Sequence, residues 1–180
     1  MNPPFQLSTP STSFILRPWQ LDDLDNLVQM ANNSNIARYM TNGFPHPYTA
    51  EGGLTFLQIA VQNPDRLWAI SIDGNAVGGI GYHPMTDIWQ KNAELGYWLG
   101  EPYWGMGILT ESVLKMTLFI FHETSIERVF ARPFGTNKAS QRVLEKAGFK
   151  LEATIPKGFF KWGLYEDELI YARRKTTEQP

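Results

Sequence analysis

The sequence predicts a mixed α/β (α+β) fold: a strongly twisted mixed sheet of about six to seven strands with about four helices on its two faces. Three observations carry this. Apolar runs at 67–72 and 76–82 flank the turn Asp73-Gly74-Asn75, a hairpin signal. Residues 93–147 then read as strand, helix, strand, helix. The composition is globular, with 43% hydrophobic, 13% aromatic and 19% charged residues in a 180-residue chain, one domain's length. A Pro/Ser/Thr-rich lead-in over 1–13 is expected to be mobile, a single domain to occupy 14–174, and a polar tail 175–180.

Each element has a local reason. Phe14-Ile15-Leu16-Arg17 before Pro18 reads as the first strand. From Asp22, Leu24, Leu27, Val28 and Ala31 recur at helical spacing, and acids in the first turn suit the helix dipole. The segment 43–47, with two prolines, is loop. Thr49 caps a helix from Ala50 whose Leu54, Leu57, Ile59 and Val61 call for burial on two sides. After the hairpin, 93–99 is a third apolar run. Gly107 opens a long helix to about Phe121, with Leu109, Val113, Met116 and Ile120 along one face. A strand is expected over 128–134 and a helix over 137–147, closed by Gly148. Strand-like runs at 151–161 and 164–172 complete the chain. Gly78, Gly79 and Gly81 inside a strand imply close backbone packing.

Charge and composition exclude several functions. Sixteen Lys+Arg against eighteen Asp+Glu give a net charge of −2, with no basic excess to neutralise nucleic-acid phosphates. Without cysteine there is no disulfide framework, thiolate nucleophile, thiolate zinc site or Fe–S ligation. His46, His83 and His122 are far apart in sequence, so no metal site is expected; His83 reads as a loop residue and His122 as a helix-end charge. No apolar stretch reaches the ~20 residues of a membrane span; the run 113–121 is broken by Lys115 and Thr117. No basic run leads into an apolar core at the N-terminus, and a cytoplasmic protein is the default reading. The oligomeric state stays open between monomer and homodimer.

Chemistry concentrates in two segments. In Glu94-Leu95-Gly96-Tyr97-Trp98-Leu99-Gly100-Glu101-Pro102-Tyr103-Trp104-Gly105-Met106-Gly107-Ile108-Leu109-Thr110-Glu111 a strand enters a glycine-containing loop that opens a helix. Free backbone N–H groups at a helix start suit phosphate oxygens. No Lys-Ser/Thr follows the glycines, so this is no nucleoside-triphosphate loop, and no G-x-G-x-x-G occurs there. The second segment, Asn137-Lys138-Ala139-Ser140-Gln141-Arg142-Val143-Leu144-Glu145-Lys146-Ala147-Gly148-Phe149, has an N-capping residue and an inward face of Val143, Leu144 and Ala147.

Together these segments resemble the GNAT superfamily of acetyl-CoA-dependent N-acetyltransferases, over 14–172 and most sharply over 94–149. The likeness is to the branch of ribosomal-protein alanine and serine N-terminal acetyltransferases. The resemblance implies the GNAT acyl-CoA N-acyltransferase fold, with acetyl-CoA as co-substrate and an amine acceptor as partner. It implies a pyrophosphate loop at Trp104, Gly105, Met106, Gly107, Ile108 and Leu109, continuing to Thr110. Trp104 stands where the superfamily has a basic or amide residue, and Leu109 where it has a small one. It also implies that Tyr97, Trp98 and Leu99 lie along the pantetheine arm, an extended amide chain met by strand augmentation. Asn137 would hold that arm, and Ser140 would lie near the thioester sulfur.

The tyrosine that many relatives use as general acid falls at Leu144, which leaves Ser140 for the leaving thiolate. Glu94 reads either as the base that takes the amine proton through water or as an ion-pair partner. Strand alternation puts it out of phase with Tyr97 and Leu99, which only a bulge would reconcile. The expected reaction is direct transfer to a primary amine, foremost a protein N-terminal α-amine. The alternatives are a small amine (aminoglycoside, polyamine or amino acid) and a non-catalytic acyl-CoA-binding module.

Overall fold

The computed structural model describes residues 3–176. Among these residues there are eight strands and five helices, one strand and one helix more than the upper expectation. In chain order they are β1 (Phe5–Ser8), β2 (Ser13–Pro18), α1 (Leu24–Ala31), α2 (Ser34–Ala37), α3 (Ala50–Ala60), β3 (Leu67–Ile72) and β4 (Asn75–Pro84). Then come β5 (Asn92–Leu99), α4 (Ile108–Glu123), β6 (Arg128–Ala131), α5 (Lys138–Lys146), β7 (Lys150–Lys161) and β8 (Leu164–Arg174). The strand order is β1-β2-β3-β4-β5-β6-β8-β7. The sheet is mixed, since β5 and β6 pair in parallel while β1–β2, β2–β3, β3–β4, β6–β8 and β7–β8 are antiparallel.

The chain forms two compact units, one from 1–81 and 97–112, the other from 82–96 and 113–180. In the first unit the extra strand β1 corrects the expected lead-in. Four residue pairs join it to β2, and Phe5 is buried with its ring 5.3 Å from that of Trp68. That aromatic contact gives the short Pro/Ser/Thr-flanked segment a reason to order. The extra helix α2 follows from Asn33, whose side chain accepts from the Asn35 N–H. Thr49 caps α3 as expected, accepting from the Gly52 N–H at 3.2 Å. Only one side of α3 is buried, however. Gly53, Leu57 and Ala60 face inward, whereas Leu54 and Ile59 are exposed. The core of this unit gathers Trp19, Leu27, Ala31, Tyr48, Leu57 and Trp98. The glycine expectation holds: a Cβ at Gly78 would lie 2.6 Å from the Trp98 carbonyl oxygen, and one at Gly81 would lie 2.9 Å from that of Arg66.

In the second unit Val113, Met116, Ile120, Val129, Leu144, Phe149 and Leu169 are buried. The strand expected over 128–134 stops at Ala131, because Pro133 has no N–H to continue a ladder; Phe134 pairs with Glu168 in an isolated bridge outside the strands. Helix α5 ends in a Schellman arrangement, with the Phe149 N–H donating to the Leu144 carbonyl and the Gly148 N–H to that of Glu145. At the expected tail, the Lys175 N–H donates to the Glu127 carbonyl and its Nζ to that of Phe121, so the ordered chain passes residue 174. Residues 1–2 of the expected lead-in and 177–180 of the expected tail lie outside the described residues. Among the described residues no helix is long and apolar enough to cross a membrane.

Candidate functional site

In the first unit, the chain leaves β5 through a short 3₁₀ turn at Glu101–Tyr103 and reaches the loop ahead of α4. The loop is tied back to the strand: the Trp104 indole N–H donates to the Leu99 carbonyl at 2.7 Å. Gly105 and Gly107 adopt φ of +77° and +81°, a conformation that a side chain would strain. The Glu111 N–H donates to the Gly107 carbonyl at 3.2 Å, so the amides of Ile108, Leu109 and Thr110 precede the helical ladder. They form the positive end of the α4 dipole, beside two residues without Cβ. Met106, Leu109 and Thr110 are half-buried, and the Ile108 side chain lies in the core.

The loop has a neighbour from the start of the chain. Thr9 lies in the β1–β2 turn, where its Oγ1 accepts from the Ser11 and Thr12 N–H groups, both at 3.2 Å. Its methyl carbon is 3.6 Å from the point where a Gly107 side chain would begin. Glu101 accepts from the side-chain amides of Asn33 and Asn35, which hold its carboxyl below the usual carboxylate range.

Along β5, Trp98 and Leu99 turn their side chains into the core; the Trp98 ring packs 5.6 Å from Phe44. What these residues can offer a ligand is backbone. The strict alternation that sets Glu94 out of phase is not kept. Ala93 and Leu95 are buried, Gly96 is exposed, and then Trp98 and Leu99 are buried consecutively.

In the second unit, the parallel β5–β6 ladder covers only Asn92↔Arg128, Ala93↔Val129 and Glu94↔Phe130. Glu94 sits at its end, in a bidentate ion pair: Arg132 Nε donates to Oε1 at 2.8 Å and Nη2 to Oε2 at 2.9 Å. Arg132 Nη1 also reaches Glu168 Oε1 at 3.5 Å. The Glu94 hydrogen bond is the main reason that the guanidinium is pushed further above its already high ordinary pKa. Asn137 caps α5, its Oδ1 accepting from the Ser140 N–H at 3.1 Å. Ser140 is therefore fixed in the first turn of the helix, half-buried. Leu144 is fully buried, a core residue.

Of the residues singled out from the sequence, the first unit holds Tyr97, Trp98, Leu99 and Trp104 to Thr110, and ties Leu99 to Trp104. The second holds Glu94, Asn137 and Ser140, and ties Asn137 to Ser140. Glu94 is brought instead to Arg132, whose guanidinium also reaches Glu168; neither was singled out from the sequence. The parallel register that joins Glu94 to Arg132 leaves no local signal in the sequence.

A family model described as acetyltransferase (GNAT) domain matches residues 13–150. Among curated relatives, the SPbeta prophage-derived uncharacterized N-acetyltransferase YokL of Bacillus subtilis is 34% identical over 108 residues, 59% of either chain. The spermidine N(1)-acetyltransferase of Escherichia coli K12 is 23% identical over 156 residues, 86% of this chain and 82% of its own. The chain spans between half and two-thirds of the length of the first curated relatives it matches, 56%, 59% and 55%. Among solved structures, RimL, a ribosomal L7/L12 alpha-N-protein acetyltransferase in complex with coenzyme A, superposes with a TM-score of 0.80 at 22% identity, covering 94% of this chain and 98% of its own. The ribosomal-protein-S5-alanine acetyltransferase of Vibrio fischeri gives 0.81 at 20%, covering 99% and 100%. With the fold shared along nearly its whole length and the family model matched over most of it, the chain belongs to the GNAT acetyltransferase family.

Proposed function

We propose that the chain is an acetyl-CoA-dependent N-acetyltransferase that passes the acetyl group directly to a primary amine, foremost a protein N-terminal α-amine. The observation that carries the reading is the 104–110 loop. Two glycines at positive φ and three amides ahead of the α4 ladder suit the pyrophosphate of coenzyme A. Acetyl-CoA supplies the activated thioester; the rest falls to the chain. Backbone groups of Tyr97–Leu99 run along the pantetheine arm, and an N–H there polarises the thioester carbonyl. Asn137 caps α5 and in doing so sets Ser140, whose hydroxyl donates to the departing thiolate. Glu94 takes the amine proton through a water. Each of its oxygens accepts one bond from Arg132 and retains a second lone pair.

The N-terminal acceptor is supported by the likeness to RimL, named as an alpha-N-protein acetyltransferase of ribosomal L7/L12, and to the Vibrio fischeri enzyme, named for an alanine of ribosomal protein S5. An α-amine, with a pKa near 7.7–8.0, also asks less of a base than an alkylamine above about 10. A small-amine acceptor is the second reading, favoured by the alignment with the spermidine enzyme over 86% of this chain. Thiol release from acetyl-CoA decides between them. The panel is alanine- and serine-initiated peptides, spermidine, an aminoglycoside and free amino acids. Turnover with the peptides alone supports the first reading and turnover with spermidine alone the second. Acetyl-CoA binding without turnover on any acceptor refutes catalysis.

A further inference from the structure

Glu94 stands opposite Phe130 in the parallel ladder, and Arg132 lies two residues past Phe130. Strand alternation therefore projects the two side chains from the same face as diagonal neighbours. Both backbones are fixed. Ala131 pairs with Tyr171 on one side of Arg132, and on the other the Leu169 N–H donates to the Pro133 carbonyl at 3.1 Å. The guanidinium meets Glu94 as a two-pronged fork and extends its remaining arm to Glu168, whose side chain is only 12% exposed. A fork held on fixed strands sets the plane of a carboxylate as well as its charge, which a lysine could not do.

We infer that Arg132 is the positioning residue of the proton acceptor. It holds the Glu94 carboxylate in one orientation, so the relaying water meets the same lone pair in every turnover. This rests on the reading of Glu94 as that acceptor. In the step concerned the amine N–H proton passes to the water, and the water hands its own proton to a Glu94 oxygen. The amine electron pair forms the C–N bond as the C–S pair departs with sulfur.

The test is steady-state kinetics with acetyl-CoA and whichever of an alanine-initiated peptide and spermidine is turned over. The variants are Arg132→Lys, Arg132→Met, Glu94→Gln and the Met/Gln double, with acetyl-CoA Kd and Tm measured alongside. Expected are a kcat at least about 10-fold lower in Arg132→Met, a smaller but clear loss of about 3-fold or more in Arg132→Lys, and Kd within about 2-fold of wild type. The double variant should be no slower than Glu94→Gln. If Arg132→Met does not fold, Arg132→Lys decides, since it keeps the charge and loses only the fork. A wild-type kcat in Arg132→Lys beside a slow Glu94→Gln overturns the positioning role and leaves Glu94 standing. A wild-type kcat in Glu94→Gln overturns both. Losses that multiply in the double variant show that Arg132 acts elsewhere and also overturn it.

Discussion

Gly78 and Gly96 give a matched pair on neighbouring strands. A methyl at Gly78 would lie 2.6 Å from the Trp98 carbonyl oxygen and 2.9 Å from Leu99 Cδ1, whereas one at Gly96 meets nothing within 4 Å. Real Cβ contacts essentially never fall below 3.0 Å, so in Gly78→Ala the Trp98 carbonyl must retreat by about 0.4 Å or more. Such overpacking costs about 1–3 kcal/mol. In Gly96→Ala there is nothing to displace, and the smaller entropy of the unfolded chain contributes about 0.4–1 kcal/mol of stability. For a chain of this size 1 kcal/mol corresponds to about 2–4 °C in Tm. The expectation is thus a fall of roughly 2–12 °C for Gly78→Ala and a rise of roughly 1–4 °C for Gly96→Ala, read by thermal melts at one protein concentration. Because the displaced carbonyl belongs to the strand proposed to meet the pantetheine arm, calorimetry on Gly78→Ala should also show weaker acetyl-CoA binding. A Gly78→Ala protein that melts at or above Gly96→Ala would refute the argument from close approach.

Three further expectations address the site and its surroundings. Gly107→Glu places a charged side chain at φ +81° in the phosphate loop; acetyl-CoA affinity should fall at least ~10-fold by calorimetry with the fold kept, and unchanged affinity removes the loop from the cofactor site. Ser140→Ala should lower kcat with little change in acetyl-CoA Kd, since a hydroxyl that meets developing thiolate acts in the transition state; an intact kcat when chemistry is rate-limiting leaves Ser140 as a helix residue. Glu152 accepts from Arg128 and Arg174, which hold its carboxyl below the usual carboxylate range. A depressed folded-state pKa contributes stability above the ordinary carboxylate pKa and loses it as the pH falls through the lower folded value. The Tm gap between wild type and Glu152→Gln should therefore be present at pH 7 and close in acid; a gap that persists below about pH 2 shows that the ion pairs are not its source.

What could be read in the sequence was what short-range geometry dictates. Thr49 and Asn137 cap their helices because each cap bond spans only three residues. Gly148 closes α5 by equally local bonds. The 67–84 hairpin declares itself through its turn. Most of what the sequence does not carry involves partners distant in sequence. Strand β1 depends on Phe5 meeting Trp68, though the hydroxyl-rich turn at Thr9–Thr12 was a usable hint. Leu54 and Ile59 are as apolar as Leu57, and only the tertiary arrangement leaves them in solvent. Pro133 is a local exception: its missing N–H ends β6 at Ala131 and not at Phe134. The pairing of Glu94 with a residue thirty-eight positions on required the register of a parallel ladder, which no periodicity records.

Thr9 lies four residues ahead of the stretch matched by the family model, yet its methyl group bounds the room above Gly107. On the proposed reading of the 104–110 loop, that methyl group borders the path by which coenzyme A leaves, apart from any reacting atom. Turnover limited by product release could be tuned there without touching a single group that moves a proton.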